Sequence, residues 1–192
     1  TEQYQNKLQQ FIHSNKAWSQ QAESSLTKNE AVKPSPPYPQ ELKPFTSHQD
    51  PTMLYNGMIH ALVGFPIRGA IWYQGESNHA EGMLYFEKKK ALIEGWRSLW
   101  GQGDFPFYWV QLADFKAQKS TPSESNWAEL REAQTMTMKS VPNTGEAVII
   151  NLGEGQDIHP KNKQDVAKRL ARWALAETYH QQGIVCRSPL YK

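Results

Sequence analysis

Two patterns of apolar residues alternate along the chain. Stretches in which apolar residues recur every three or four positions predict amphipathic helices. These stretches are residues 4–26, 52–63, 82–100, 127–138 and 162–179. Short runs that are continuously apolar, aromatic or β-branched predict buried strands. These runs are residues 67–73, 105–112 and 147–152. Because strands and helices alternate after residue 67, the sequence predicts an α/β fold with helices on both faces of a parallel sheet.

Proline marks the boundary between the first helix and the rest of the chain. The stretch KPSPPYPQELKPFTSHQDP, residues 33–51, disfavours regular structure. We therefore expect an N-terminal helical segment over 1–32, a Pro-rich connection over 33–51 and the main α/β domain over 52–192. Asn162 is the predicted N-cap of the last helix, because its side chain can accept from the amide of Asp165.

Charge and composition exclude several kinds of partner. The 192 residues contain 21 Lys and Arg against 19 Asp and Glu, with no long block of either sign. Nucleic acid and anionic membranes are therefore not expected partners. Lys88-Lys89-Lys90 is predicted to form a solvated helix face. No apolar run approaches the roughly 20 residues of a membrane-spanning helix, and the single cysteine, Cys186, has no partner for an internal disulfide.

Polar residues follow the first predicted strand. In AIWYQGESN the strand ends in Gln74, Gly75, Glu76, Ser77 and Asn78. One interpretation is structural: Gly75 breaks the strand, and Ser77 or Asn78 caps the next helix. That interpretation leaves Glu76 unexplained, because an unpaired carboxylate at an enclosed sheet edge is costly.

A second polar tip follows the third predicted strand and contains Asp157 and His159, just before Pro160. The carboxyl ends of parallel strands share one edge of the sheet, so we expect His159 and Glu76 to meet there. A histidine beside a carboxylate is the base and orienting acid of acyl-transfer catalysis. The remaining histidines show no metal-binding spacing, so no metal is predicted; they are His13, His48, His60, His79 and His180.

Acyl transfer also requires a nucleophile. The chain contains one Gly-x-Ser, Gly75-Glu76-Ser77, and the order Ser77, Asp157, His159 matches that of α/β-hydrolases. A nucleophile elbow has a small residue two positions after the serine, where this chain has the bulky His79. Ser77 therefore stays an alternative nucleophile that departs from the motif.

Several blocks of the sequence resemble one family. AIWYQGESN, then YFEKKKALIEGWRSLWGQGDFPFYWVQLADF, WAELREAQ, VPNTGEAVI and DIHPKNKQDVAKRLARWAL are similar to the sialate O-acetylesterases, serine esterases of the SGNH-hydrolase type. The resemblance covers roughly 53–176. It implies a flavodoxin-like three-layer α/β/α domain that removes acetyl esters from sugar hydroxyls, notably 9-O-acetyl sialic acid, without a metal or other cofactor.

The resemblance also implies roles for individual residues. His159 matches the general base, and Glu76 is the favoured orienting acid, with Asp157 as its rival. Gln74, Gly75 and Asn78 match the block that shapes the site and holds the oxyanion. Arg131 is a candidate partner for the carboxylate of sialic acid, or else an ion-pair partner of Glu129 or Glu132 on a helix surface.

The family's nucleophilic serine lies on a first strand in a Gly-Gln-Ser-Asn type motif, which this chain does not contain. By family order that strand would precede Thr1. We therefore expect a companion segment, covalently joined or cleaved, that carries the first strand and the serine and covers an exposed sheet edge. The expected ligand is an acetylated sugar or sialoglycan. Two alternatives stay open: a self-contained hydrolase that uses Ser77, and a non-catalytic carbohydrate-binding or assembly module.

Overall fold

The computed structural model describes residues 2–43, 47–117 and 119–190. The chain divides into two compact units, Thr1–Leu62 and Val63–Lys192. None of the described helices combines the length and apolarity that crossing a bilayer requires.

The first unit contains one long helix, α1, over Glu2–Thr27. The predicted helix is therefore confirmed, but none of its residues is buried. The Phe11 ring meets Tyr38 edge-on, with centroids 4.9 Å apart, beside a short 3-10 turn over Gln40–Leu42. The helix predicted over 52–63 is instead a π turn, Tyr55–Ile59, followed by a 3-10 turn, His60–Leu62. An amphipathic helix would bury its apolar face, but three apolar side chains of this stretch are exposed; they are Leu54, Met58 and Leu62.

The second unit is built on a three-stranded parallel sheet. Its strands are β1 (Ala70–Trp72), β2 (Phe107–Val110) and β3 (Thr144–Ala147), in the order β1-β2-β3. The helices are α2 (Leu84–Trp100), α3 (Asn126–Ser140) and α4 (Lys163–Trp173), and α4 continues into a π turn over Ala174–Thr178. The alternation of strands and helices predicted after residue 67 is confirmed.

The third strand differs from its prediction. It covers 144–147 rather than the apolar run 147–152. Gly145 pairs with Tyr108, and a Cβ on Gly145 would lie 2.3 Å from the Trp173 ring. The strand therefore runs where only glycine fits beneath α4. A rule that looks for apolar, β-branched residues places the strand too late.

Helices cover both faces of the sheet. Tyr108 and Val110 of β2 pack with Trp173 of α4, whereas Phe107 and Trp109 pack with Ile93 of α2 on the opposite face. All four β2 residues are buried, as expected for a central strand. The predicted three-layer α/β/α architecture is thus confirmed.

Three loops leave the carboxyl edge of this sheet. We call them L1 (73–83, after β1), L2 (111–125, after β2, described except at 118) and L3 (148–162, after β3). L2 ends at Ser125, whose side chain accepts from the Ala128 amide to cap α3. L3 ends at Asn162, which accepts from the Asp165 amide at 3.1 Å. The predicted N-cap of the last helix is therefore confirmed.

Candidate active site

Gly75 gives L1 its shape. Its φ of 153° is a conformation that L side chains rarely adopt. A Cβ at this position would also lie 3.2 Å from the side chains of both Leu112 and Leu130. The chain then turns through a single 3-10 turn, Glu76–Asn78. Because α2 begins only at Leu84, after Met83, neither Ser77 nor Asn78 caps it.

The Gln74 side chain is held in one orientation. The Tyr85 hydroxyl lies 3.0 Å from the Gln74 carbonyl oxygen and 3.1 Å from Oε1, and donates to this pair. Gln74 Nε2 donates in turn to Asn78 Oδ1 at 2.5 Å. An amide nitrogen carries two protons, so one N–H of Gln74 stays available to a ligand. Tyr85 is buried, and that burial raises its pKa to about 12, which keeps the hydroxyl protonated as a donor.

L3 places an imidazole beside a carboxylate. The His159 amide donates to Asp157 Oδ1 at 2.9 Å, and the same oxygen lies 3.7 Å from His159 Nδ1. The Asp157 amide donates back to the Glu154 carbonyl at 3.0 Å. The His159 side chain is 85% exposed, so its Nε2 edge is open to a reacting group.

L1 and L3 line one shared cavity of about 470 Å³. Its walls contain Gln74, Glu76 and Ser77 from L1 and His159 from L3. We call it the catalytic cavity, after the role proposed for it below. The structure thus brings together the residues that the sequence predicts to converge. Glu76 makes no described hydrogen bond or ion pair with His159, whereas Asp157 lies against the ring. The choice of orienting acid stays a prediction.

Tyr73 and Lys163 also line this cavity, as do Ile158 and Pro160. Lys163 Nζ lies 4.6 Å from the centroid of the Tyr73 ring. Burial first, and then the negative charge of Glu76, raise the pKa of Tyr73. Glu76 therefore acts electrostatically on its own loop.

Arg131 binds backbone carbonyls of L2, and its expected contact with a substrate carboxylate stays a prediction. Its Nε donates to the Leu112 carbonyl at 2.9 Å and its Nη2 to the Ala113 carbonyl at 2.8 Å. It forms no described ion pair with Glu129 or Glu132. Burial lowers the pKa of Arg131. Its first role is therefore to fix the start of L2.

Sequence reasoning missed one buried charge. Lys89, predicted to be solvated, is 2% exposed. Its Nζ lies 4.2 Å from the Trp109 ring centroid and 5.5 Å from that of Tyr85, with no hydrogen-bond partner among the described residues. Burial lowers its pKa to about 7, and the Glu146 carboxylate opposes part of that shift. The nearest sequence signal is that Tyr85 and Lys89 are four residues apart and share a helix face, which does not by itself say that the face is buried.

Glu146 receives hydrogen bonds from two side chains. Thr135 Oγ1 donates to it at 2.8 Å and Trp109 Nε1 at 3.3 Å, while burial raises its pKa. Over the ranges 2–43, 47–117 and 119–190, no three His, Cys, Asp or Glu side chains cluster as a metal site would need. The expectation of a metal-free, cofactor-free reaction stays a prediction.

Polar loops at the carboxyl edge of a parallel sheet are typical of α/β enzymes. Comparison with known proteins identifies the family. A family described as "Carbohydrate esterase, sialic acid-specific acetylesterase" matches residues 41–176, and this chain belongs to it. The predicted family is therefore confirmed.

Individual relatives agree with this assignment. The sialate O-acetylesterase of Rattus norvegicus is 36% identical over 158 residues, which cover 73% of this chain and 29% of the relative. The Homo sapiens sialate O-acetylesterase is 36% identical over 156 residues, 72% of this chain and 29% of the relative. A crystal structure of a carbohydrate acetylesterase from Xanthomonas citri has a TM-score of 0.67 and 47% identity, and the match covers 74% of this chain and 33% of that one. The chain spans about three tenths of the length of the curated relatives it matches.

Proposed function

We propose that this chain contributes the general base and the oxyanion-binding loop to the hydrolysis of acetyl esters on sugar hydroxyls. The observation that carries the proposal is the catalytic cavity, in which a paired imidazole and an oriented side-chain amide face the same space. Membership of the carbohydrate esterase family supports the reaction type.

The proposed reaction is a two-step acyl transfer. A serine hydroxyl attacks the acetyl carbonyl carbon while His159 takes its proton. The bond from that carbon to the sugar oxygen then breaks, and His159 returns the proton to the leaving hydroxyl. Water, deprotonated by His159, then attacks the acetyl carbon of the acetyl-serine. The bond from that carbon to the serine oxygen breaks, His159 returns the proton to this oxygen, and acetate leaves.

Asp157 is the orienting acid that the distances favour, because its Oδ1 lies 3.7 Å from His159 Nδ1. A carboxylate at this distance stabilises the imidazolium electrostatically, and it selects the tautomer once it closes to hydrogen-bond distance of Nδ1. Glu76, across the same cavity, is the competing assignment. Its negative charge helps to raise the pKa of Tyr73, which fits an electrostatic role for Glu76 in the site.

Gln74 is the proposed oxyanion donor. The Tyr85 hydroxyl donates to the carbonyl and Oε1 oxygens of Gln74, and Asn78 Oδ1 accepts one proton of the Gln74 side-chain amide. The remaining N–H is therefore oriented before substrate arrives. One such donor is worth about 3 kcal/mol of barrier. Gly75 makes this geometry available by turning the chain where a Cβ would not fit.

A companion segment is proposed to supply the serine and to cover β1. Ile71 points to the α4 side of the sheet, in register with Tyr108, yet it is 69% exposed. Such an apolar position on an edge strand favours a further strand or helix beside it. A chain that is soluble and monomeric when purified alone would contradict this part of the proposal.

The proposed substrate is 9-O-acetyl sialic acid or a glycan that carries it, in line with the names of the family and of the relatives. The test uses the protein in its active form, with acetate release as the readout. His159→Ala is expected to lower kcat at least 10³-fold and to leave the circular dichroism spectrum unchanged. His180→Ala, at an exposed histidine beyond the last helical turn, is the matched control and is expected to be neutral. Retained activity in His159→Ala would overturn the proposal.

Ser77 is the second candidate nucleophile, because it lines the catalytic cavity together with His159. A fluorophosphonate probe distinguishes the two. Labelling of this chain at Ser77 would make it a self-contained hydrolase, whereas labelling of a companion serine supports the first proposal. Glycan binding that survives with both Glu76 and His159 replaced, and without ester hydrolysis, would indicate a non-catalytic carbohydrate-binding module.

A further inference from the structure

A second cavity opens at the same edge of the sheet, on the other side of L1. Its volume is about 590 Å³, within the usual range for a small-ligand site. It is lined by His79 from L1, by Asp114 and Phe115 from L2, and by Trp127 and Arg131 from the start of α3. We call it the aromatic cavity. None of these residues lines the catalytic cavity.

One wall of the aromatic cavity consists of three rings in contact. The Trp127 ring centroid lies 5.4 Å from that of Phe115 and 5.7 Å from that of His79. Trp127 Nε1 donates to the Ala113 carbonyl at 2.7 Å, and His79 Nδ1 donates to the Glu76 carbonyl at 2.9 Å. Because backbone bonds hold two of the rings, this apolar wall exists before any ligand arrives.

A hydrogen-bond donor and a hydrogen-bond acceptor lie beside that wall. Arg131 uses Nε and Nη2 for the L2 carbonyls, which leaves the two protons of Nη1 without a partner in the described part of the chain. Asp114 Oδ1 accepts from the Gly153 amide at 2.7 Å, while Oδ2 has no described partner. One donor and one acceptor beside aromatic rings suit adjacent hydroxyls of a sugar ring.

This arrangement discriminates between sugar groups. A carboxylate binds arginine best through two parallel N–H bonds, and the Nε and Nη2 edge of Arg131 is already occupied. Lys116, Lys119 and Arg131 line the cavity together with the carboxylates of Asp114 and Glu124, so the discrimination rests on the occupied edge of Arg131 rather than on the charge of the cavity. Hydroxyls, which donate to a carboxylate and accept from a guanidinium, have no such conflict. The cavity therefore favours a neutral pyranose over the carboxylate of a sialic acid.

We infer that the aromatic cavity is a subsite for a neutral pyranose next to the acetylated sugar of an oligosaccharide. This inference rests on the proposed function for what occupies the catalytic cavity. The two cavities are adjacent because Glu76 lines one and His79, three residues later, lines the other. The Cα atoms of two residues three positions apart are separated by at most about 11 Å, so neighbouring sugars of one glycan can reach both cavities. A glycan of two or more residues is thus the substrate class, rather than a free sugar acid.

The test compares a trisaccharide with its terminal monosaccharide. Dissociation constants for unacetylated sialyllactose and for free sialic acid are measured by NMR titration of the active protein. We expect sialyllactose to bind at least tenfold more tightly. Phe115→Leu retains the packing volume but removes an aromatic face, and we expect it to weaken sialyllactose binding about fivefold. It should leave sialic acid binding unchanged.

Two control variants accompany Phe115→Leu. Phe115→Tyr keeps the ring and is expected to bind as the wild type does. Tyr179→Ala removes an exposed ring that contacts Arg68, and it is also expected to be neutral. Equal binding of the trisaccharide and monosaccharide would overturn the inference. So would a Phe115→Leu variant that weakens both ligands alike or slows hydrolysis of 4-nitrophenyl acetate, because that would indicate general damage.

The outcome also separates this inference from the proposed function. If the protein hydrolyses no acetyl ester but still prefers sialyllactose, the subsite stands and the esterase proposal fails. If it hydrolyses acetylated sialic acid and acetylated sialyllactose with equal KM, the esterase proposal stands and the subsite fails.

Discussion

L1 and L3 build the two halves of the catalytic cavity in opposite ways. L1 is anchored in the interior, with Gly75 against two leucines and Gln74 bonded to the buried Tyr85. L3 is bonded to L2 through Gly153 and Gly155, but its His159 end is held by local bonds, from the His159 amide to Asp157 and from the Lys161 amide to Glu154, and the histidine is 85% exposed. The difference suits the two tasks that we propose for these loops. An oxyanion donor works only if it is fixed in advance, whereas a base must reach both a nucleophile and a leaving group.

The largest expected effect concerns the acid in L3. We predict that Asp157→Asn lowers kcat by 10²–10⁴-fold, because an amide cannot stabilise the imidazolium of His159. Glu76→Gln, in L1, is the matched variant and is expected to cost less than tenfold. Both are measured as acetate release by the active protein. The reverse order of effects would assign the orienting role to Glu76 and make L1, rather than L3, the partner of the base.

Gly75→Ala is expected to disrupt the packing that anchors L1. Its Cβ would meet Leu112 and Leu130 at 3.2 Å in a backbone conformation that alanine disfavours, so we expect a cost of about 3 kcal/mol in unfolding free energy. Gly101→Ala is the control, because its φ is also positive at 62° but nothing lies within 4 Å of the added Cβ. It should cost about 1 kcal/mol. Equal losses in thermal or denaturant unfolding would show that L1 is not held by packing.

The stability of the protein should also respond to pH, because Lys89 is buried on α2, the helix that follows L1. The folded pKa of Lys89 is about 7, against an ordinary value of 10.5, so between these values only the unfolded chain binds the proton. The free energy of unfolding therefore rises as pH increases from 7 towards 10.5 and is lowest below 7.

We predict that Lys89→Met removes that rise and stabilises the protein by about 2 kcal/mol at pH 6. Lys88→Met, at an exposed lysine paired with Glu81, is expected to keep the wild-type pH dependence. Denaturant titrations at pH 6, 8 and 10 measure both variants. An unchanged slope in Lys89→Met would mean that Lys89 is not the group responsible.

Tyr85→Phe is the mildest change and the one most specific to L1. It removes the hydroxyl that orients Gln74 and keeps the buried ring. We expect kcat to fall about tenfold, with KM changing less than twofold. The reason is that a less well oriented Gln74 amide stabilises the negative charge on the oxyanion less, and this charge develops only in the transition state. Tyr73→Phe, which removes a hydroxyl without a described hydrogen bond, is the comparison. A rise in KM alone would mean that Tyr85 serves binding rather than the transition state.

Much of this molecule follows from local sequence pattern. The periodicity of α2, α3 and α4, the apolar run of β2 and the cap at Asn162 each depend on residues close together in the chain. Alternation of strands and helices also determines that the loops after the strands meet at one edge. That is why His159 and Glu76 could be expected at one edge of the sheet from the sequence, and both line the same cavity.

Only the tertiary structure decided what each of those groups touches. β3 contains Gly145 because the Trp173 ring occupies the space that a side chain would need there. Lys89 is buried because Trp109 lies beneath it. Arg131 binds L2 carbonyls rather than a neighbouring glutamate. In each case the partner lies far away in sequence, so the outcome depended on packing between elements, which hydrophobic periodicity does not encode.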